Sequence, residues 1–202
     1  MREIDSETVH RNPWFSVVCR RYEDPAGGLH PYYMVSKPDS VLVVVRRGGG
    51  LVLVELQRPT FGGVPGLEFP QGGIEAGESP EEAARREALE ETGLHVTGLR
   101  HRGSFAESSG FATTSCHVFT AEAAGPPGVT DVTGAAEVTG AAEVTGGAAG
   151  AGGPAGDDPF EAGLAVRVLA RRELLALARR GGIQDSATLA ALALLGEDDD
   201  AA

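Results

Sequence analysis

The sequence predicts an α/β (α+β) fold centred on one sheet and preceded by a small antiparallel β-region. Three observations predict it. Val41–Val45 is a continuous apolar run, the pattern of a strand buried on both faces, and after a glycine-rich turn Leu51–Leu56 forms the next strand. A strongly capped helix follows over Ser79–Thr92. After it, strand-length segments recur near Val96–Arg102, Cys116–Ala121 and Leu164–Leu169, before two short helical patterns close the chain.

Taken in order, Trp14-Phe15-Ser16-Val17-Val18 reads as a strand and Tyr32-Tyr33-Met34-Val35 as its return. Between them Asp24-Pro25-Ala26-Gly27-Gly28 is a strong turn signal. A hairpin or short meander is therefore expected over residues 1–40. Thr60–Gly66 is a Gly/Pro loop, and Leu67-Glu68-Phe69 is a short strand stopped by Pro70. In the helix, Ser79 is the N-cap candidate, Pro80 suits the first turn, and Glu82 completes a capping box. Gly93 stands where such a helix ends. Leu174, Leu175 and Leu177 share helix-compatible spacing within Arg171–Arg180, which Gly181-Gly182 terminates. Asp185 or Ser186 caps a last helix, Ala187–Leu195.

One stretch breaks the pattern. Val-Thr-Gly-Ala-Ala-Glu begins at Val132 and again at Val138, and Val-Thr-Gly recurs at Val144. With so few large apolar side chains this is a flexible insertion, at about 125–158, rather than a solenoid. The expected organisation is a β-region over residues 1–40 and a main domain over 41–202 that carries the insertion.

Composition narrows the function. The 202 residues hold 17 Lys and Arg against 29 Asp and Glu, a net charge of −12. Lys37 is the only lysine. Nucleic acid is not an expected partner, because phosphate-backbone binding needs clustered cations. A phosphate ester still suits an acidic chain if a divalent cation lies between the charges. Cys19 and Cys116 form neither a CxxC pair nor a zinc spacing. No apolar run approaches membrane-spanning length and no signal-peptide pattern opens the chain. A soluble protein of the reducing cytoplasm, away from membranes, is expected.

Chemistry concentrates in Gly72–Leu94. Glu87 and Glu91 are four residues apart and share a helix face, and Glu90 stands beside both. Three carboxylates so placed repel one another and raise at least one pKa. Mg²⁺ resolves that repulsion, since it takes oxygen ligands and bridges carboxylates to substrate phosphates. Gly72, Gly73 and Gly77 let the backbone turn tightly before the helix. Arg86 is placed to neutralise Glu78 or Glu82.

This segment resembles the Nudix box, GX5EX7REUXEEXGU, where U is a large aliphatic residue. Gly72, Glu78, Arg86, Glu87, Glu90, Glu91 and Gly93 meet its fixed positions, Leu94 meets the last U, and Ala88 is smaller than the usual first U. The resemblance implies the Nudix fold, an α/β/α sandwich with a mixed sheet, and a diphosphate-cleaving hydrolase. Glu87 and Glu91 match the family's metal-binding carboxylates, with Glu90 as a further ligand or base. The Gln71 backbone carbonyl matches another ligand. Mg²⁺ is the implied cofactor, with Mn²⁺ as a substitute. Gly72, Glu78, Arg86 and Gly93 are structural.

Leu53–Arg58 followed by Leu67–Gly72 resembles the ADP-ribose pyrophosphatase branch, as do Asn12–Phe15 and Gly182–Leu189. The resemblance implies cleavage of ADP-ribose to AMP and ribose 5-phosphate. It implies phosphate contact by Arg58, a substrate-binding role for Glu68, and a homodimer whose N-terminal regions often exchange. Trp14, Tyr32 and Tyr33 are either core aromatics or a platform for a base. After the box, the loop Glu107–Thr114 lacks the branch's Ser-Pro-Gly and its following Glu, which leaves Glu107 as the available substitute. A nucleotide sugar, a dinucleoside polyphosphate or a nucleoside triphosphate are alternative substrates. A nucleotide-sensing module that does not cleave is the alternative of another class.

Overall fold

The computed structural model describes residues 1–124 and 164–196; the insertion expected at about 125–158 lies outside them. An N-terminal three-stranded antiparallel sheet runs in the order β1 (Arg2–Arg11), β2 (Ser16–Glu23), β3 (Leu29–Ser36). Of the expected hairpin or short meander it is the meander, with β1 as the strand the sequence did not mark. Every residue of β1 is exposed, so no apolar alternation announces it in sequence. Its ladder is dressed by cross-strand ion pairs instead, Arg2–Glu23 at 2.6 Å and Arg21–Asp5 at 2.8 Å. Such exposed pairs contribute little energy but suit an edge strand. Trp14 and Phe15, expected in a strand, occupy a turn: their backbone N–H groups donate to Asn12 Oδ1 at 2.9 and 2.8 Å. The Asp24 turn forms as expected, with the Ala26 and Gly28 N–H groups on its carboxylate.

The main sheet has seven strands. Its path is β10 (Ala165–Leu169), β5 (Gly50–Gln57), β4 (Ser40–Arg47), β9 (Ser115–Ala123), β8 (Val96–Ala106). Two short strands, β6 (Pro65–Glu68) and β7 (Gln71–Gly73), pair with β5 and β4. β4 and β9 are parallel while the other pairs are antiparallel, so the sheet is mixed.

Both faces are covered. Alternate residues of β4 explain how: Val41, Val43 and Val45 point to one side with Val52, Phe119 and the helical alanines Ala83, Ala84 and Ala88. Leu42 and Val44 point to the other with Leu53, Leu174, Ile183, Ala191 and Leu192. The first side is α1 (Pro80–Thr92); the second is α2 (Arg171–Arg179) and α3 (Ser186–Leu194). Ala88 is fully buried, so the small residue at this box position is what lets α1 sit close on the valines. The capping box of Ser79 and Glu82 forms, and Gly93 ends α1 at φ 70°. Asp185 caps α3 through the Thr188 N–H. Among the described residues no helix is long and apolar enough to cross a membrane.

Candidate functional site

The site forms where β7 meets α1. β7 is pinned to the start of β4, with Gly72 opposite Val41 and Gly73 opposite Ser40. Packing the alanine face of α1 on the sheet carries Glu87 and Glu91 inward, to 1% and 7% exposure. Gly72 makes room for this: a Cβ there would lie 2.1 Å from Glu87 Oε1. The box glycine is therefore required by side-chain packing, not by backbone angle.

Arg86 gathers the segment. Its Nε and Nη2 grip the two oxygens of Glu78, each at 2.9 Å. Its Nη1 reaches Glu87 at 2.7 Å and Glu90 at 2.9 Å, and Nη2 also donates to the Gly73 carbonyl at 2.9 Å. Of the two expected partners, Glu78 is the one taken; Glu82 closes the capping box with Ser79. The Arg86 hydrogen bonds hold the Glu78 carboxyl below its ordinary range. Reciprocally, Glu78 first, and then Glu87 and Glu90, make Arg86 harder to deprotonate.

Glu91 Oε2 accepts the Gln71 backbone N–H at 3.0 Å. The Gln71 side chain donates to Glu68 at 2.7 Å, and Glu68, 3% exposed, holds Arg58 bidentately at 3.2 and 2.9 Å. The expected residues fall into two hydrogen-bonded groups where β7 meets α1: Glu87 and Glu90 on Arg86, and Glu91, Glu68 and Arg58 linked through Gln71. Trp14 lies in the turn between β1 and β2. It is 60% exposed, with Tyr32 at 45% and Tyr33 at 59%, so these aromatics are not core.

Glu107 stands at the end of β8, where it accepts from the Ser40 hydroxyl and pairs with Lys37 Nζ at 2.7 Å. The loop behind it is docked on β3: Val35 N–H donates to the Phe111 carbonyl at 2.7 Å and Thr113 N–H to the Val35 carbonyl at 3.1 Å. Nearby, burial pushes the Cys116 thiol up to about 11, so it is not a poised nucleophile.

The carboxylates and the Gln71 carbonyl are hard oxygen donors, the set that Mg²⁺ prefers. In the conformation described, Glu87 and Glu90 lean on Arg86, and Glu91 on Gln71. Among the described residues no three His, Cys, Asp or Glu are grouped as a ready-made cage. Sequence spacing missed Asp185 as a member of the Gln71 group. It reads there only as a helix cap, whereas its Oδ2 also accepts from Gln71 Nε2 at 3.3 Å, across 114 positions.

Three comparisons fit this geometry. A family model described as NUDIX domain matches residues 36–144. The chain belongs to the Nudix family, and within it resembles the ADP-ribose pyrophosphatase branch. It is 33% identical to an ADP-ribose pyrophosphatase of Bacillus subtilis over 129 residues, 60% of this chain and 69% of that one. It is 41% identical over 75 residues to an NAD-capped RNA hydrolase of Pasteurella multocida, but this spans only 37% of the chain and 27% of that protein. A solved structure described as an ADP compounds hydrolase superposes with a TM-score of 0.69 at 20% identity, covering 96% of this chain and 92% of that one. The last likeness establishes the fold.

Proposed function

We propose that this chain is a Mg²⁺-dependent pyrophosphohydrolase of nucleoside diphosphate derivatives, with ADP-ribose, cleaved to AMP and ribose 5-phosphate, as the favoured substrate. One observation carries the reading: Glu87, Glu90 and Glu91 are carried on α1 beside β7, where Arg86 holds Glu87 and Glu90 and Gln71 ties Glu91 to the Arg58–Glu68 pair. The similarity to the Bacillus subtilis enzyme supports the choice of substrate.

Glu87 and Glu91, with Glu90 and the Gln71 carbonyl, would hold the metal. A bound divalent cation supplies charge neutralisation at the diphosphate and a water of lowered pKa. The remaining work falls to the protein. Arg58 binds the phosphates, a charge contact made before and during the reaction alike, while buried Glu68 keeps its guanidinium from folding away. Gly72, Glu78, Arg86 and Gly93 hold the loop on the helix and so fix the carboxylates. Mn²⁺ suits the same oxygen donors.

The working unit in this reading is a homodimer in a reducing cytoplasm. Exposed Trp14, Phe15, Leu29, Tyr32 and Tyr33 in the N-terminal region support a covering second copy. Sedimentation at the mass of one chain at micromolar concentration would remove that part of the proposal. The two free cysteines support the compartment.

The test is phosphoanhydride cleavage with Mg²⁺ across ADP-ribose, a nucleotide sugar, NADH, a dinucleoside tetraphosphate and nucleoside triphosphates. ADP-ribose should be cleaved fastest, with the activity lost in EDTA. Glu91→Gln should lower kcat at least about a hundredfold, a few kcal/mol of lost charge stabilisation. Normal turnover by that variant overturns the site assignment. Preferred cleavage of another member moves the substrate. Binding without cleavage of any member makes the chain a nucleotide sensor.

A further inference from the structure

Gln71 meets acidic residues from three parts of the chain. Its backbone N–H serves Glu91 on α1, and its side-chain Nε2 serves both Glu68 on β6 and Asp185 at the start of α3. A primary amide has two N–H bonds on its nitrogen and none on its oxygen. Both are directed at carboxylates, which fixes the way the amide faces. The Asp185 carboxylate is itself anchored, because Oδ2 also accepts the Thr188 N–H of α3 at 2.7 Å. An unbroken chain therefore runs Asp185–Gln71–Glu68–Arg58.

This chain transmits orientation. Arg58 grips Glu68 with two N–H groups on two oxygens, and in such a fork the carboxylate and guanidinium planes are matched. Gln71 holds one of those oxygens, Glu68 Oε2, and so resists rotation of the carboxylate. Whatever fixes the Gln71 amide fixes the Glu68 plane, and with it the guanidinium. We propose that Asp185 and the Gln71 side chain are positioning residues for Arg58, and that helix α3 thereby sets how tightly the site holds a diphosphate. The proposal rests on the functional reading above.

Asp185→Ser separates the two duties of this residue. Serine caps a helix about as well as aspartate, so α3 is retained, but its shorter side chain withdraws from Gln71. With the full chain, ADP-ribose and Mg²⁺, KM should rise roughly tenfold, the size of one hydrogen bond to a charged group. The rate constant kcat should stay within about twofold, because the lost interaction holds ground state and transition state alike. Asp185→Asn, which offers an oxygen to both Thr188 and Gln71, should recover most of the loss. In an Arg58→Ala background, Asp185→Ser should raise KM no further. Calorimetric binding of ADP-ribose reads the same tenfold change without turnover.

A merely structural Asp185 would lower the active fraction, so that kcat falls while KM holds. That result, an unchanged KM, or the same rise without Arg58 each overturn the inference. They leave the functional reading standing if the wild-type chain still cleaves ADP-ribose. A wild-type chain that neither cleaves nor binds ADP-ribose overturns both.

Discussion

Replacing Gly72 with alanine isolates the contribution of one carboxylate's position. An added Cβ would lie 2.1 Å from Glu87 Oε1 and 2.5 Å from Oε2, where ordinary contact needs roughly 3.5 Å. Gly72 is not among the residues of positive φ, so alanine brings no backbone strain. What must yield is the Glu87 carboxylate, by about 1 Å or more, and a shift of that size in a reacting site costs roughly a hundredfold. Stability changes far less. The bond from Arg86 Nη1 to Glu87, 2.7 Å long, is lost, at about 1–3 kcal/mol. The stiffer unfolded chain returns about 0.4–1 kcal/mol. A net loss of about 1–2 kcal/mol lowers Tm by roughly 2–8 °C in a chain of this size. Gly73→Ala is the matched control, since a Cβ there meets nothing within 4 Å. Its Tm and turnover should stay near wild type. The assay is ADP-ribose turnover beside thermal unfolding. Gly72→Ala with turnover within about threefold of wild type would refute the reasoning, because Glu87 would then not need its place. So would a variant that fails to fold.

Two other outcomes test how the site is held. The Glu78 carboxyl is held below its ordinary value of 4.5, chiefly by Arg86. A depressed acid contributes in full above its unfolded pKa and loses that contribution as pH falls through its folded value. The stability advantage of wild type over Glu78→Gln should therefore be flat at neutral pH and shrink below pH 4.5; an advantage unchanged down to about pH 3 contradicts this account. Thr188 is fully buried and its hydroxyl accepts the Phe69 N–H at 3.0 Å. Thr188→Val strands that buried donor, so the urea midpoint should fall by the equivalent of about 1–3 kcal/mol with the m-value unchanged. No shift would mean that Phe69 N–H has found another acceptor.

The strands and helices of the main sheet were legible because their signals are local. Five apolar residues at Val41–Val45, the Ser79–Glu82 capping box and Gly93 each act within a turn or two of chain. The box was legible for the same reason: i, i+3 and i, i+4 spacing alone places Glu87, Glu90 and Glu91 together. β1 was not legible, because its ten exposed residues carry no buried face to pattern. β7 is three residues long and exists through its pairing with β4, a partner that no local rule names. Trp14 and Phe15 look like strand residues, yet the Asn12 side chain turns the backbone there.

By itself, then, the sequence determined the class of fold, the helix that carries the carboxylates and the family to which the chain belongs. The fold class and the helix follow from periodicity and capping, which act between near neighbours; the family follows from the resemblance of Gly72–Leu94 to a known motif. The tertiary structure decided which partner Arg86 takes, how deeply Glu87 is buried against Gly72, and how Glu107 is tied to Lys37 and Ser40. It alone joined Asp185 to Gln71. Contacts between residues distant in sequence are fixed by how packed layers bring their edges together, and spacing along the chain carries no record of that.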